Sequence, residues 1–288
     1  MKRRRIGTTE VSAIGLGAMP MSIEGRPDEE RSIRTIHAAL DAGITLIDTA
    51  DAYHWHADEV GHNESLIARA LASHGGDTSG VLVATKGGHV RPGDGSWTID
   101  GSPAHIKAAC EASLKRLGVE AIGLYQHHRP DPRVPYAESI GALKELVDAG
   151  KVRMAGISNA NPDQIREAHR ILGDRLVSVQ NQYSPAFRSS EPELRLCTEL
   201  GLAFLPWSPL GGIGRARELG DRFAPFAEVA AARGVSPQQV CLAWMLARSP
   251  VVIPIPGASR PETIRDSAAA ADLVLDADEL ARLDGTDD

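Results

Sequence analysis

"ITLIDTADAYHWHADEVGHNESLIARALASH", residues 44–74, reads as one strand–loop–helix unit. A β-branched apolar run ends in Asp48, a polar loop follows, and an amphipathic stretch opens at Asn63. The same alternation repeats along the chain. Short apolar runs stand at 13–17 (AIGLG), 44–48, 80–86 (GVLVATK), 121–127 (AIGLYQH), 152–158 (VRMAGIS), 176–180 (LVSVQ), 202–207 (LAFLPW) and 251–255 (VVIPI). Amphipathic stretches stand between and after them, at 28–43, 63–74, 102–118, 137–150, 161–173, 191–201, 236–250 and 260–271.

The punctuation agrees with this alternation. Ser102, Asn161 and Ser236 precede a proline where an N-cap belongs. Gly43, Gly118, Gly150, Gly173 and Gly201 end helices a few residues before the next run, the short return expected of βα units. Runs this continuously apolar imply a sheet covered on both faces, hence parallel strands. Eight such units with no linker composition between them predict an α/β protein, a single (β/α)8 TIM barrel over residues 1–288. The segment "MKRRRIGTTEVS" (1–12) is expected to form a short hairpin at the barrel bottom, and 221–234 an extra helix.

Composition excludes several classes. The chain has 288 residues and a net charge of −7, with no basic face for nucleic acid. "KRRR" at 2–5 lacks the apolar stretch of a signal peptide, and no run reaches membrane-spanning length. Cys110, Cys197 and Cys241 lie far apart in helix-like segments, which predicts reduced thiols and a cytoplasmic protein.

In a barrel of this kind chemistry gathers just past the C-terminal strand ends. Asp48, Lys86, His128, Ser158 with Asn159, and Gln180 all fall there. A buried carboxylate and a buried ammonium demand partners, and the simplest partners are each other. Tyr53 follows Asp48 by five residues. An ammonium beside a phenol favours the phenolate and lowers the phenol pKa from about 10. A histidine nearby can hold a carbonyl oxygen against that phenol. The group could therefore protonate a carbonyl oxygen as hydride reaches its carbon. The histidines of "HWH" (54–56) lie beyond Tyr53 and have no further ligand set of convincing spacing, so no metal is expected.

In order along the chain stand "GLGAM", "DTADAY", "ATKGG", "LYQHHRPD", "GISN", "VQNQYS", "PWSPLGG" and "IPGASRPETI". This ordered set resembles the aldo-keto reductase superfamily across nearly the whole length. The resemblance implies a catalytic tetrad of Asp48, Tyr53, Lys86 and His128, the histidine being the one followed by one residue and then Pro. It implies NADPH as cofactor and a small-molecule carbonyl or alcohol as substrate. No Rossmann fingerprint is present: "GLGAMP" and "GIGRAR" lack the strand-to-helix context.

By the same resemblance Ser158, Asn159 and Gln180 hold the carboxamide, Trp207 stacks on the nicotinamide, and Asp48 also borders the cofactor. Ser208, Pro209, Leu210 and Gly212 pass the pyrophosphate. Gly17, Ala18 and Met19 approach the ribose through their backbone. Gly257, Ser259 and Arg260 grip the 2′-phosphate in a strand-to-helix turn, which suits an anion on physical grounds, and Thr263 also contacts the cofactor. Asp266 and Ser267 stand where many relatives carry Glu and Asn toward the adenine. Trp55 and Trp97 are expected to wall the substrate pocket. The other readings are a non-catalytic nucleotide-binding regulatory barrel and a metal-dependent barrel hydrolase. Neither nucleic acid nor membrane is an expected partner; nothing in the sequence marks an interface, and the resemblance allows a monomer.

Overall fold

The computed structural model describes residues 1–285. Strand β1 (Arg3–Ile6) pairs antiparallel with β2 (Thr9–Ser12), Ile6 opposite Thr9. There follow β3 (Leu16–Gly17), β4 (Leu46–Asp48), β5 (Leu82–Gly87) and a small antiparallel pair, β6 (His89–Val90) with β7 (Thr98–Ile99). Then come β8 (Ile122–His127), β9 (Val152–Ser158), β10 (Leu176–Gln180) and β11 (Ala203–Phe204). One parallel sheet of seven strands runs in the order β11-β10-β9-β8-β5-β4-β3.

Where eight strands were expected, seven are present. The run 251–255 is not a strand, because Pro254 and Pro256 have no N–H to give a ladder. It nonetheless lies between the sheet's two edges. Phe204 N donates to Val251 O at 2.8 Å and Ile253 N to Phe204 O at 2.8 Å on one side. On the other, Gly15 N donates to Pro254 O and Gly17 N to Pro256 O, both at 2.9 Å.

The helices are α1 (Glu29–Asp41), α2 (His62–Ser73), α3 (Pro103–Leu117), α4 (Tyr136–Asp148), α5 (Pro162–Leu172), α6 (Glu191–Leu200), α7 (Leu219–Arg222), α8 (Ala224–Arg233), α9 (Pro237–Arg248), α10 (Pro261–Ala269) and α11 (Ala277–Asp284). The side chains of Ser102, Asn161 and Ser236 accept from the third-turn-position amides of His105, Gln164 and Gln239, as N-caps do. Gly118 and Gly201 end α3 and α6 in the left-handed conformation. The expected single helix over 221–234 is two: Phe223, at φ −133° and ψ 84°, ends the first and is the N-cap of the second, whose first turn holds Pro225. The C-terminal α11 was not foreseen, although Asp276 and Glu279 form a full capping box at its start.

Core packing explains the hairpin's position. Ile6 and Val11, both fully buried, join Leu46, Leu82, Leu124, Val177, Leu205 and Ile253 in one apolar cluster inside the curled sheet. A larger cluster fills the space between strands and the helices α3 to α9. The three cysteines are buried free thiols. No helix among the described residues is long and apolar enough to cross a membrane.

Candidate active site

The loop after β4 folds back on β5. Thr49 N donates to Ala84 O at 2.8 Å and Asp51 N to Lys86 O at 3.2 Å. Asn63, at the start of α2, ties that loop to the β3 end: it accepts from Thr49 Oγ1 at 2.6 Å and donates to Ala18 O at 2.9 Å. This brings the Tyr53 phenol over the end of the Lys86 side chain. Lys86 Nζ donates to Asp48 Oδ1 at 2.6 Å, to Thr49 O at 2.9 Å and to Tyr53 Oη at 3.2 Å. All three ammonium donors are thus used, as burial requires of a fully enclosed cation. The other Asp48 oxygen accepts from Gln180 Nε2 at 2.7 Å and Gln126 Nε2 at 3.3 Å.

His128 follows the end of β8, and its ring meets the Tyr53 ring edge-on with centroids 5.8 Å apart. His128 lines the cavity that Tyr53 faces, whereas His127 is buried away from it against Tyr136. Burial, reinforced by Lys86, holds the His128 pKa well below the usual imidazole value, so the ring is neutral. Burial keeps the Lys86 pKa down by itself, but Asp48 and Tyr53 outweigh it and leave the ammonium above its ordinary value. The Tyr53 phenol departs from the expectation. Burial raises its pKa, and Lys86 offsets this only in part, so the net direction is upward.

Beneath the loop, Glu64 accepts from Thr85 Oγ1 and from Arg116 Nε. Asp51 is buried beside this pair, its Oδ1 without a partner among the described residues, and burial with the nearby Glu64 charge pushes its pKa up to about 8.

The cavity has a volume of about 940 Å³. Gly17, Met19, Asp48, Tyr53, Trp97 and His128 line its inner part. Ser158, Asn159, Gln180 and Trp207 form one wall, and Ser208, Pro209, Leu210 and Gly212 continue it. Gly257, Ser259, Arg260 and Thr263 line the far end. Five of the expected residues are elsewhere. Lys86 lies under the floor, reaching it only through Asp48 and Tyr53. Ala18 is buried, its backbone N–H held by Asp48 O. Trp55 stacks on His56 at the surface, with centroids 4.9 Å apart. Asp266 accepts from Ser236 Oγ at 2.7 Å and Gln239 Nε2 at 2.6 Å, which ties α10 to α9, and Ser267 is buried. These two face the helix layer because positions 266 and 267 fall on the inner side of α10.

Several residues not foreseen from the sequence also line the cavity, His89, Arg129 and Arg217 among them. His89 lies between Trp97 and His128, with ring centroids 4.8 Å and 4.7 Å away. Arg129 directly follows His128. The sequence signal of His89 and Arg129 was adjacency alone: each stands one to three residues past a strand-end residue already chosen. The histidines of the loop after Tyr53 turn to separate partners: His54 Nδ1 meets His56 O at 2.7 Å and His62 Nδ1 meets Ser22 Oγ at 2.8 Å. Among the described residues no three His, Cys, Asp or Glu side chains gather as a metal site requires.

Several features suit an extended, anionic, flat-ended ligand. Asn159 and Ser208 hold left-handed backbone at φ 56° and 50°, strain that clusters at binding sites. The buried Trp207 Nε1 has no partner among the described residues. A Cβ on Gly17 would meet Ile255 O at 2.7 Å, so only glycine allows this close approach at the cavity floor. Helix α10 starts at Arg260 without a side-chain cap, leaving first-turn amides beside an arginine.

A family profile described as "Aldo/keto reductase family" matches residues 13–288. An uncharacterized oxidoreductase of Schizosaccharomyces pombe is 34% identical over 286 residues, 97% of this chain and 88% of that protein. Among solved structures, an aldo/keto reductase from Klebsiella pneumoniae in complex with NADP and acetate aligns with a TM-score of 0.81 at 31% identity, covering 99% of this chain and 94% of that one. The glycerol dehydrogenase AKR11B4 from Gluconobacter oxydans aligns with a TM-score of 0.83 at 29% identity, covering 99% and 94%.

Proposed function

The chain belongs to the aldo-keto reductase family, and on that premise we propose that it reduces an aldehyde or ketone to an alcohol with NADPH, through Tyr53, Lys86, Asp48 and His128. We read the sheet and the 251–256 segment together as a single closed (β/α)8 barrel. The observation that carries the reading is the Lys86 ammonium, buried and bonded to Asp48 and Tyr53 at once, beneath a phenol that faces the cavity beside a neutral imidazole.

The residues fit a phosphorylated dinucleotide. The uncapped α10 start with Arg260 suits a phosphate, the glycine at 17 admits a ligand close to the backbone, and Trp207 offers a flat apolar face. When bound, the cofactor supplies hydride to the carbonyl carbon. Ser158, Asn159 and Gln180 would hold its carboxamide end; Ser208 to Gly212 and Gly257 to Thr263 would hold its phosphates.

The chain's own residues handle the proton. His128 holds the carbonyl oxygen near the Tyr53 hydroxyl. As that oxygen gains charge it takes the phenol proton, which gives the alcohol. The phenolate left on Tyr53 is stabilised by the Lys86 ammonium until solvent returns a proton. Asp48 keeps Lys86 in place and balances its charge. General-acid help of this kind contributes about 100- to 10,000-fold in rate.

The test is NADPH consumption, followed by absorbance, over a panel of aldehydes and ketones with and without chelator. Turnover that chelator leaves intact is expected. Tight NADPH binding with no turnover of any carbonyl would favour a regulatory barrel instead, and chelator-sensitive hydrolysis a metal enzyme.

A further inference from the structure

Arg129 has no established task in the reduction just described, yet it lines the same cavity as Tyr53 and His128. It is half-buried, and burial lowers its pKa with no acidic neighbour to offset the effect. Among the described residues the guanidinium has no hydrogen bond, ion pair or ring contact. Other buried and partly buried arginines are treated differently. Arg91 is paired with Glu24 and donates to His54 O, Arg116 is paired with Glu64, and Arg26 forks onto Glu59 at 2.9 and 2.7 Å. A half-buried cation left without an acceptor is costly unless a ligand supplies one.

The surroundings favour an anion. The lining of the cavity carries Arg129, Arg217 and Arg260 against one carboxylate, Asp48, which Lys86 already neutralises. This is a positive cavity in a chain of net charge −7. Arg260 stands at the phosphate end; Arg129 stands at the reacting end, close enough for its charge to lower the pKa of both His89 and His128. Arg129 also borders a side pocket of about 330 Å³ lined by Asn161, Asn181, Gln182, Glu193 and Trp207. Glu193 is the one acid there; it lies beyond ion-pair distance of Arg129, and burial raises its pKa.

Resting on the reductase reading, we propose that Arg129 anchors an anionic group, a carboxylate or a phosphate ester, on the substrate, and that the enzyme's substrates are anionic aldehydes or ketones. The carbonyl sits at Tyr53 and His128 while the anion pairs with the guanidinium, bidentately where geometry allows. Arg129 is a specificity-determining residue here and takes no part in proton transfer.

The test compares matched aldehydes: 4-formylbenzoate with methyl 4-formylbenzoate, 4-oxobutanoate with its methyl ester, and 4-formylphenyl phosphate as the phosphate arm. In the wild type, kcat/KM for at least one anion should exceed that of its neutral partner by on the order of tenfold or more, the size of one charge-assisted hydrogen bond. The advantage should lie in KM and shrink with salt. Arg129→Met should cost the anion on the order of tenfold more than the neutral ester, and Arg129→Lys should restore part of it. A higher value for the phosphate arm would point to phosphate esters, and for the carboxylates to oxo acids. Equal kcat/KM for every pair in the wild type, equal losses on both members in Arg129→Met, or a loss of NADPH affinity in that variant would overturn the proposal. If none of these aldehydes is turned over, the reductase reading fails separately. Calorimetric binding of 4-formylbenzoate to wild type but not to Arg129→Met would still support the anchor, and equal binding would refute it.

Discussion

Lys86 decides what the site can do. Enclosed completely, it keeps its charge because Asp48 lies 2.6 Å away and its remaining donors reach Thr49 O and Tyr53 Oη. Replacing it by methionine leaves Asp48 buried without its counter-ion. Lys86→Met should therefore lose about 3–5 kcal/mol of stability, read by denaturant unfolding, along with activity. The sequence made this pair legible, since two opposite charges at neighbouring strand ends have few other partners. It misled on the phenol. Proximity of an ammonium argues for a lowered pKa, but burial of Tyr53 acts the other way and prevails. The sign follows: a donor with a raised pKa stays protonated below that pKa and is lost only above it. With His128 held neutral by burial, carbonyl reduction should be level through neutral pH and fall on an alkaline limb above the ordinary phenol value of about 10. A pH profile of kcat/KM with a limb well below that value would contradict the assigned donor.

At the scale of elements, strand ends were easy to read and strand extents were not. Apolar runs mark burial on both faces, yet the ladder also needs amide hydrogens, which Pro206, Pro254 and Pro256 lack. Hence β11 stops at Phe204 and the 251–255 run bonds to both neighbours without becoming a strand. The same blindness applies to helix faces: which way Asp266 points depends on the phase of α10, and the structure turns it to Ser236 and Gln239. Gly17 shows what the junction demands. Its amide donates to Pro256 O at 2.9 Å, and an added Cβ would lie 2.7 Å from Ile255 O, a backbone atom that cannot rotate away. Gly17→Ala should push β3 from the 255–257 segment, cost about 1–3 kcal/mol as overpacking does, and weaken cofactor binding. Thermal melting and a fluorescence titration check both effects. An unchanged melting temperature with unchanged affinity would mean that the segment is free to shift.

For the molecule as a whole, the order of short motifs along 288 residues carried the family, because seven of the motifs stand at or just past strand ends and the eighth, IPGASRPETI, ends the 251–255 run that bonds to both edges of the sheet. His89 and Arg129 carried only the weak signal of standing just past strand-end residues; it is three-dimensional convergence that places their side chains in the cavity. Cofactor choice also belongs to this scale. Arg260 at the uncapped start of α10 should favour NADPH over NADH by about tenfold to a hundredfold, the worth of a charge-assisted contact to phosphate. Arg260→Ala should weaken NADPH and spare NADH, measured by quenching of the tryptophan fluorescence. Equal losses for both would leave Arg260 as a helix-start residue only.

The most direct measurement of the central claim is a single-turnover reaction of NADPH-loaded enzyme with saturating aldehyde, in wild type and in Tyr53→Phe, following the loss of NADPH absorbance. The account predicts that the variant binds NADPH with near wild-type affinity while its hydride-transfer rate falls by about 100- to 10,000-fold, the general-acid contribution. A Tyr53→Phe enzyme that oxidises NADPH at the wild-type rate would contradict it.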